Sequence, residues 1–291
     1  QQRDELPSHV TAPAIHLSAG EVAGMIKEKL GVELEAKPES ITRFVREHLR
    51  TAFVKADAGI IGANMIIADP ATVVCVSNEG NVSLSSRLPS KLIIMVGVDR
   101  IYDDVHGIQD VQRLLSSSAT GQHYPSYIDF IRKPLPHQDV TIVVLDNGRK
   151  RLLSGEFAEV GRCIRCGACL NICPVYQEVG GHTFGRIYHG GIGALLTAFT
   201  GTEEDAGRIA DFCTRCGSCE PACPMEIPIS GLVARLARSG KLPFYLDWPL
   251  RTMMKPAPPG PTSDNAVSEA DAEPSRSTAA LFMGCAFRSP A

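Results

Sequence analysis

Two stretches of this chain share a cysteine spacing that few folds can accommodate. They are Cys163, Cys166, Cys169 and Cys173 followed by Pro174, and Cys213, Cys216, Cys219 and Cys223 followed by Pro224. Three cysteines at successive x2 spacings let one loop wrap a cubane, with thiolates at three corners and backbone N–H groups turned toward the sulfurs. The fourth cysteine, just before proline, leaves the loop and ligates the neighbouring cluster in two-cluster proteins. The spacing therefore predicts two [4Fe–4S] clusters with crossed ligation. Cys163, Cys166, Cys169 and Cys223 would hold one, and Cys213, Cys216, Cys219 and Cys173 the other. Crossing fixes the clusters close together, as one-electron transfer requires. Structural zinc is the competing use of cysteine. It commonly takes two Cys-x2-Cys pairs, which does not account for a Cys-Pro-terminated run occurring twice.

The chain has 291 residues, of which ten are cysteines, and eight of those fall in the two groups. Tight clusters without a secretion signal suggest metal in a reducing compartment rather than disulfides. A net charge of −3 points to neither nucleic acid nor an anionic membrane surface. No run of about 18 apolar residues is present, so no transmembrane helix is expected, and a cytoplasmic location follows. The chain opens on Gln1-Gln2 and closes just after an apolar stretch, Leu281 to Phe287. It is therefore expected to be part of something longer.

Residues 1–152 read as α/β. Ser18 can cap a helix to about Leu30 with Val22, Ile26 and Leu30 on one face, and a second helix should run from near Pro38 to about Ala56. Runs rich in β-branched residues at Ile60–Ala68, Thr72–Val76, Leu92–Val98 and Val140–Leu145 look like buried strands. A helical stretch carrying Ile108, Val111, Leu114 and Leu115 lies between the last two. Residues 153–254 form the cysteine-bearing helical region. There Thr202 and Asp205 resemble a capping box, and Ile229, Leu232, Val233 and Leu236 form one helix face ended by Gly240. Residues 255–280 should be a flexible linker, and 281–291 the start of another domain.

The 40 positions between Cys173 and Cys213 exceed what a compact ferredoxin core needs. The insertion resembles the α-helical ferredoxin modules of respiratory dehydrogenase subunits. Arg162, Arg165 and Arg215 lie inside the binding loops, where cations would ease reduction of an anionic cluster. Solvated surface charge is the plainer account of them. His182 and His189 are expected to pack or hydrogen-bond, since four cysteines already satisfy each cubane. Cys75 reads as a buried small hydrophobe, while Cys285, at a strand end, keeps a possible ligand role open. Gly191-Ile192-Gly193 is too weak a signal for a nucleotide site, and no P-loop or assignable catalytic triad is present. The aromatic segment from Leu242 to Leu250 is either core or a docking surface. No catalytic acid or base is assigned.

Val10-Thr-Ala-Pro-Ala-Ile-His16, Gly62-Ala-Asn-Met-Ile-Ile-Ala-Asp69 and Val74-Cys-Val-Ser-Asn-Glu-Gly-Asn81 resemble the lactate-utilisation (LUD) domain. The stretch from Cys163 to Tyr176, with Gly180-Gly181-His182 after it, is similar to the iron–sulfur proteins of that family. The resemblance implies a LUD domain of the NagB/RpiA/CoA-transferase-like type, incomplete at its N-terminus, followed by an α-helical ferredoxin domain with two [4Fe–4S] clusters. It implies an oxidoreductase component that relays single electrons during oxidation of lactate or another 2-hydroxy acid. The implied partners are a flavin-containing dehydrogenase or other lactate-utilisation subunits, and a cysteine-rich (CCG) domain in cis or trans. Phe282-Met-Gly-Cys-Ala-Phe-Arg288 resembles the start of such a domain. Any membrane association would run through partners. The chain departs from the family at Pro70-Ala71-Thr72, where Thr-Gly-Thr is common. The alternatives are an iron–sulfur subunit of the glycolate oxidase, glycerol-3-phosphate dehydrogenase or heterodisulfide reductase kind, or a redox-sensing ligand-binding module.

Overall fold

A computed structural model describes residues 6–239. The linker expected over 255–280, the aromatic segment at 242–250, Gly240 and Cys285 lie outside the described residues.

Helix α1 (Ala19–Leu30) begins where the Ser18 hydroxyl accepts from Glu21 N–H while the Glu21 carboxylate accepts from Ser18 N–H at 2.8 Å. This reciprocal box satisfies two orphan donors at once, and Gly31 in the left-handed conformation ends the helix. Its packing is lighter than the sequence suggests: Ala23 is the buried residue and Leu30 is 45% exposed. Helix α2 (Pro38–Lys55) starts with proline in its first turn and buries no residue fully.

The strand-like run at Ile60–Ala68 splits in two. β1 (Ala58–Gly62) joins a parallel three-stranded sheet with β4 (Lys91–Gly97) and β7 (Asp139–Leu145), in the order β1-β4-β7. β2 (Met65–Ile67) belongs to a second sheet with β3 (Thr72–Ser77), β5 (Ile101–Tyr102) and β6 (Tyr127–Ile131), in the order β5-β2-β3-β6. Asn64 makes the transfer between sheets. Its N–H donates to Val74 O at 3.0 Å, and its side-chain oxygen accepts from Val76 N–H at 2.8 Å. Helix α3 (Asn81–Arg87) is tied to β6 through buried Asp129, which accepts from Ser83 Oγ at 2.6 Å and Arg87 Nη2 at 2.8 Å. Helix α4 (His106–Thr120) lays Ile108 and Val111 against Met65, Ile67 and Val74. The same cluster takes in Ile164 and Cys166 of the first cysteine loop. The α/β core therefore runs directly into that loop.

The helical region is built from α5 (Arg149–Leu153), α6 (Ala168–Asn171), α7 (Pro174–Val179), α8 (Gly190–Thr200), α9 (Glu203–Asp211) and α10 (Ile229–Ser239). Leu195, Ile209, Ile229, Leu232 and Val233 form its centre, each at most 1% exposed. Burying a side chain of this size stabilises by about 1.5–3 kcal/mol. Thr202 caps α9 by accepting from Asp205 N–H at 3.2 Å. Gly191 explains itself through packing: a Cβ there would stand 2.9 Å from Ile229 Cγ2, so glycine lets α8 close on α10.

Candidate metal centre

The two cysteine loops repeat one backbone conformation. Arg165 and Arg215 occupy equivalent places with φ of 59° and 58°, and Gly167 and Gly217 follow with φ of 81° and 78°. A left-handed non-glycine residue costs about 1–2 kcal/mol, so its recurrence at the same place marks a turn that the loop requires. Each turn curls the chain round a cavity. Cys163, Cys166, Cys169 and Cys223 line the first, and Cys173, Cys213, Cys216 and Cys219 line the second. The last cysteine of each motif thus stands at the cavity formed by the other motif's loop. Cys169 and Ile192 line both cavities, which therefore adjoin. Among the described residues, no three His, Cys, Asp or Glu side chains converge closely enough to hold a single metal ion. The thiols ring each space instead.

The two cavities differ in exposure. Cys166 is buried and Cys216 is exposed. Burial pushes the thiols of Cys163, Cys166, Cys169 and Cys213 up, and that of Cys219 up to about 11. The Cys216 thiol is drawn down by hydrogen bonding to Ser218. Thiols held protonated must release protons to ligate iron. Burial thus sets an electrostatic cost that a cationic core bound among them would offset.

His189 caps the start of α8 and lines the first cavity, 1% exposed. Burial holds its imidazole below the usual histidine range, so it is neutral near pH 7. The backbones of Arg186 and Pro7 lie against its ring nitrogens and orient the imidazole beside the thiols. Four thiols ringing each cavity, with Arg100 and Arg165 acting on Cys163 in the first, suit a sulfur-ligated anionic group. The residues present therefore fit an iron–sulfur cluster. His182 is a tether: its Nε2 lies 2.8 Å from Leu6 O.

The arginines of the loops part company. Arg162 is a half-exposed surface residue, 3.9 Å from Glu159. Arg165 instead reaches the α/β unit and donates to Asp99 at 2.8 Å. Asp99, 2% exposed, is also 3.1 Å from Arg100 and 3.1 Å from Arg149. Arg100 in turn donates to the carbonyl of Cys163. Asp99, Arg100 and Arg149 carry no motif and escape a reading of the sequence. Isolated charges announce no partner until the fold assembles them.

The segment Val10–His16 crosses the first loop as a strap. Thr11 Oγ1 donates to Cys166 O at 3.1 Å, and Tyr176 OH donates to Ser8 O at 2.7 Å. Cys75 is 1% exposed, and burial pushes its thiol up to about 11, as suits an inert core residue. The Pro70–Thr72 departure is a local turn in which Thr72 Oγ1 donates to Pro70 O at 2.8 Å.

An α/β unit strapped to paired thiol-lined cavities of this spacing defines an iron–sulfur protein. Residues 159–227 match the 4Fe-4S dicluster domain, and residues 3–153 match the LUD domain. This chain belongs to the LUD domain family. Among curated relatives, proteins named Lactate utilization protein B from Bacillus cytotoxicus, Bacillus thuringiensis and Bacillus cereus are each 38% identical over 241 residues, covering 81% of this chain and 51% of theirs. The chain thus spans about half the length of the curated relatives it matches. No solved structure matches it. No helix among the described residues is long and apolar enough to cross a membrane.

Proposed function

We propose that this chain is an iron–sulfur subunit of a system that oxidises lactate or a similar 2-hydroxy acid, relaying single electrons between a flavin-type donor and a downstream acceptor. The adjoining pair of thiol-lined cavities carries this reading, and the names of the relatives supply the substrate. Two [4Fe–4S] clusters, when bound, would supply one-electron redox chemistry. Cys163, Cys166, Cys169 and Cys223 would hold the first, and Cys213, Cys216, Cys219 and Cys173 the second.

The chain's own residues make the two places unequal. Ile192, Leu196 and Ile229 keep water from the first cavity, while Arg100 and Arg165 favour negative charge there. Exposed Cys216 brings the second within reach of a partner. No acid or base on this chain is needed, so proton transfer during the oxidation belongs to a partner.

Low-temperature EPR of dithionite-reduced protein with iron quantitation tests the reading. About eight irons per chain and a coupled spin pair are expected. Cys223→Ser should alter the cluster of the Cys163 loop, and Cys173→Ser that of the Cys213 loop. About four irons, or bound zinc, would overturn the paired assignment. Reduction of the clusters by lactate only when a flavoprotein partner is added tests the relay.

A further inference from the structure

A cleft of about 870 Å³ lies between the α/β unit and the first cysteine loop. That is the size of a small-molecule site. Residues 10–15 of the strap form one wall, β2 and β3 contribute Met65 and Ser77, and α4 closes another side. The remaining wall is the cysteine loop itself. Val10, Ile164, Arg165 and Tyr188 line both this cleft and the first thiol cavity, so a single layer of side chains separates them. The three segments that carry the LUD resemblance all contribute to the cleft.

Apart from exposed Glu79 just after β3, the charged side chains that line the cleft are cationic. Arg100 and Arg165 both line the cleft, and with Arg149 they share the single carboxylate of Asp99. Their side chains are only 7% and 25% exposed, so water screens them poorly. Arg165 Nε is shielded from solvent with no partner among the described residues, and so is the Ser77 hydroxyl. Leaving such donors unpaired is costly, most of all for a charged group. A cluster in the adjoining cavity would balance part of the charge, but it cannot reach Ser77 across the wall. A guanidinium fork matches the planar carboxylate, and these arginines already grip one in Asp99.

We propose that this cleft binds a small organic carboxylate, with Arg165 and Arg100 facing its anionic end and Ser77 meeting a neutral polar group. Binding follows from the cleft alone; only the expectation that the ligand sits beside a redox centre rests on the electron-relay reading. Four chain-building facts support the assignment together: size, a shielded cationic wall, unpaired donors and a strap at the mouth.

Calorimetry on the cluster-loaded protein tests it, with L-lactate, glycolate and succinate as probes, 1,2-propanediol as the neutral alcohol analogue of lactate, and inorganic phosphate. At least one carboxylate should bind, at least tenfold more tightly than propanediol and phosphate. Arg165→Gln should weaken that binding at least tenfold. Ala14→Trp, which crowds the mouth without touching a guanidinium, should do the same. Iron content is measured on each variant, and if Arg165→Gln loses iron the Ala14→Trp result decides. The proposal is overturned if no carboxylate binds, if propanediol or phosphate binds as well, or if the deciding variant binds like the parent. Failure of the relay reading is distinct: carboxylate binding persists while iron is absent or lactate never reduces the clusters.

Discussion

Replacing Asp99 with asparagine keeps the shape of the side chain and removes the one carboxylate shared by three guanidiniums. The ion pairs measure 2.8, 3.1 and 3.1 Å. Asp99 is 2% exposed, and its partners are 7%, 12% and 25% exposed. At an effective dielectric of about 20, one such pair attracts by roughly 4–5 kcal/mol before desolvation is subtracted. Breaking a buried pair by removing one partner costs about 3–5 kcal/mol net, because the charge left behind is uncompensated. Asp99→Asn should therefore destabilise the protein by about 3–5 kcal/mol. For a protein of this size that lowers Tm by roughly 6–20 °C. Anaerobic thermal unfolding followed by circular dichroism measures it. A loss below about 1 kcal/mol would mean the network behaves as a solvated surface cluster, and the reasoning would fail.

Other expectations follow from single contacts. Hydrogen bonds from Arg186, Thr202 and Arg208 hold the Asp205 carboxyl well below the usual carboxylate range. Its contribution is thus complete above about pH 4, the unfolded value, and is lost as pH falls through the depressed folded pKa. Asp205→Asn should cost about 1–2 kcal/mol at pH 7, discounted because Arg186 and Arg208 are 51% and 65% exposed. Urea titrations at pH 7 and pH 3 should show that difference shrinking toward acid. Gly148 has φ of 79°, and a Cβ there would stand 2.0 Å from Phe199 O. Gly148→Ala should cost about 2 kcal/mol or more and raise hydrogen exchange in α8, the helix it touches. Gly181→Ala would press on Ser8 O at 1.8 Å, so the strap should lift and become the first site of limited proteolysis.

Much of the architecture is legible because local physics and tertiary packing agree. The Ser18–Glu21 box, Pro38 at a helix start, and the β-branched runs that became β3, β4 and β7 each form the element their residues favour. β6 is hidden for a physical reason. Its buried position is held by Asp129, a charge where the strand pattern calls for an apolar side chain, stabilised by Ser83 and Arg87 from α3. α3 is itself obscure, since Asn81-Val-Ser-Leu-Ser-Ser-Arg87 is short and serine-rich. The split between β1 and β2 turns on one residue, Asn64. Its hydrogen bonds matter only once β3 lies alongside.

The cysteines show the opposite case. A cluster-binding loop is a local structure with fixed spacing, so its chemistry is written in consecutive residues, down to the left-handed turn shared by Arg165 and Arg215. What surrounds the first loop is not local. Arg165 meets Asp99 across 66 positions of sequence, and Thr11 meets Cys166 O across 155. Neither pairing has a period or a motif. Both exist because Ile164 and Cys166 are packed into the same core as Met65 and Ile108. That shared core makes the first cavity a continuation of the α/β unit, while the second, with Cys216 exposed, faces outward. An apolar seam too ordinary to notice in the sequence therefore separates the roles of two motifs whose spacing is the same.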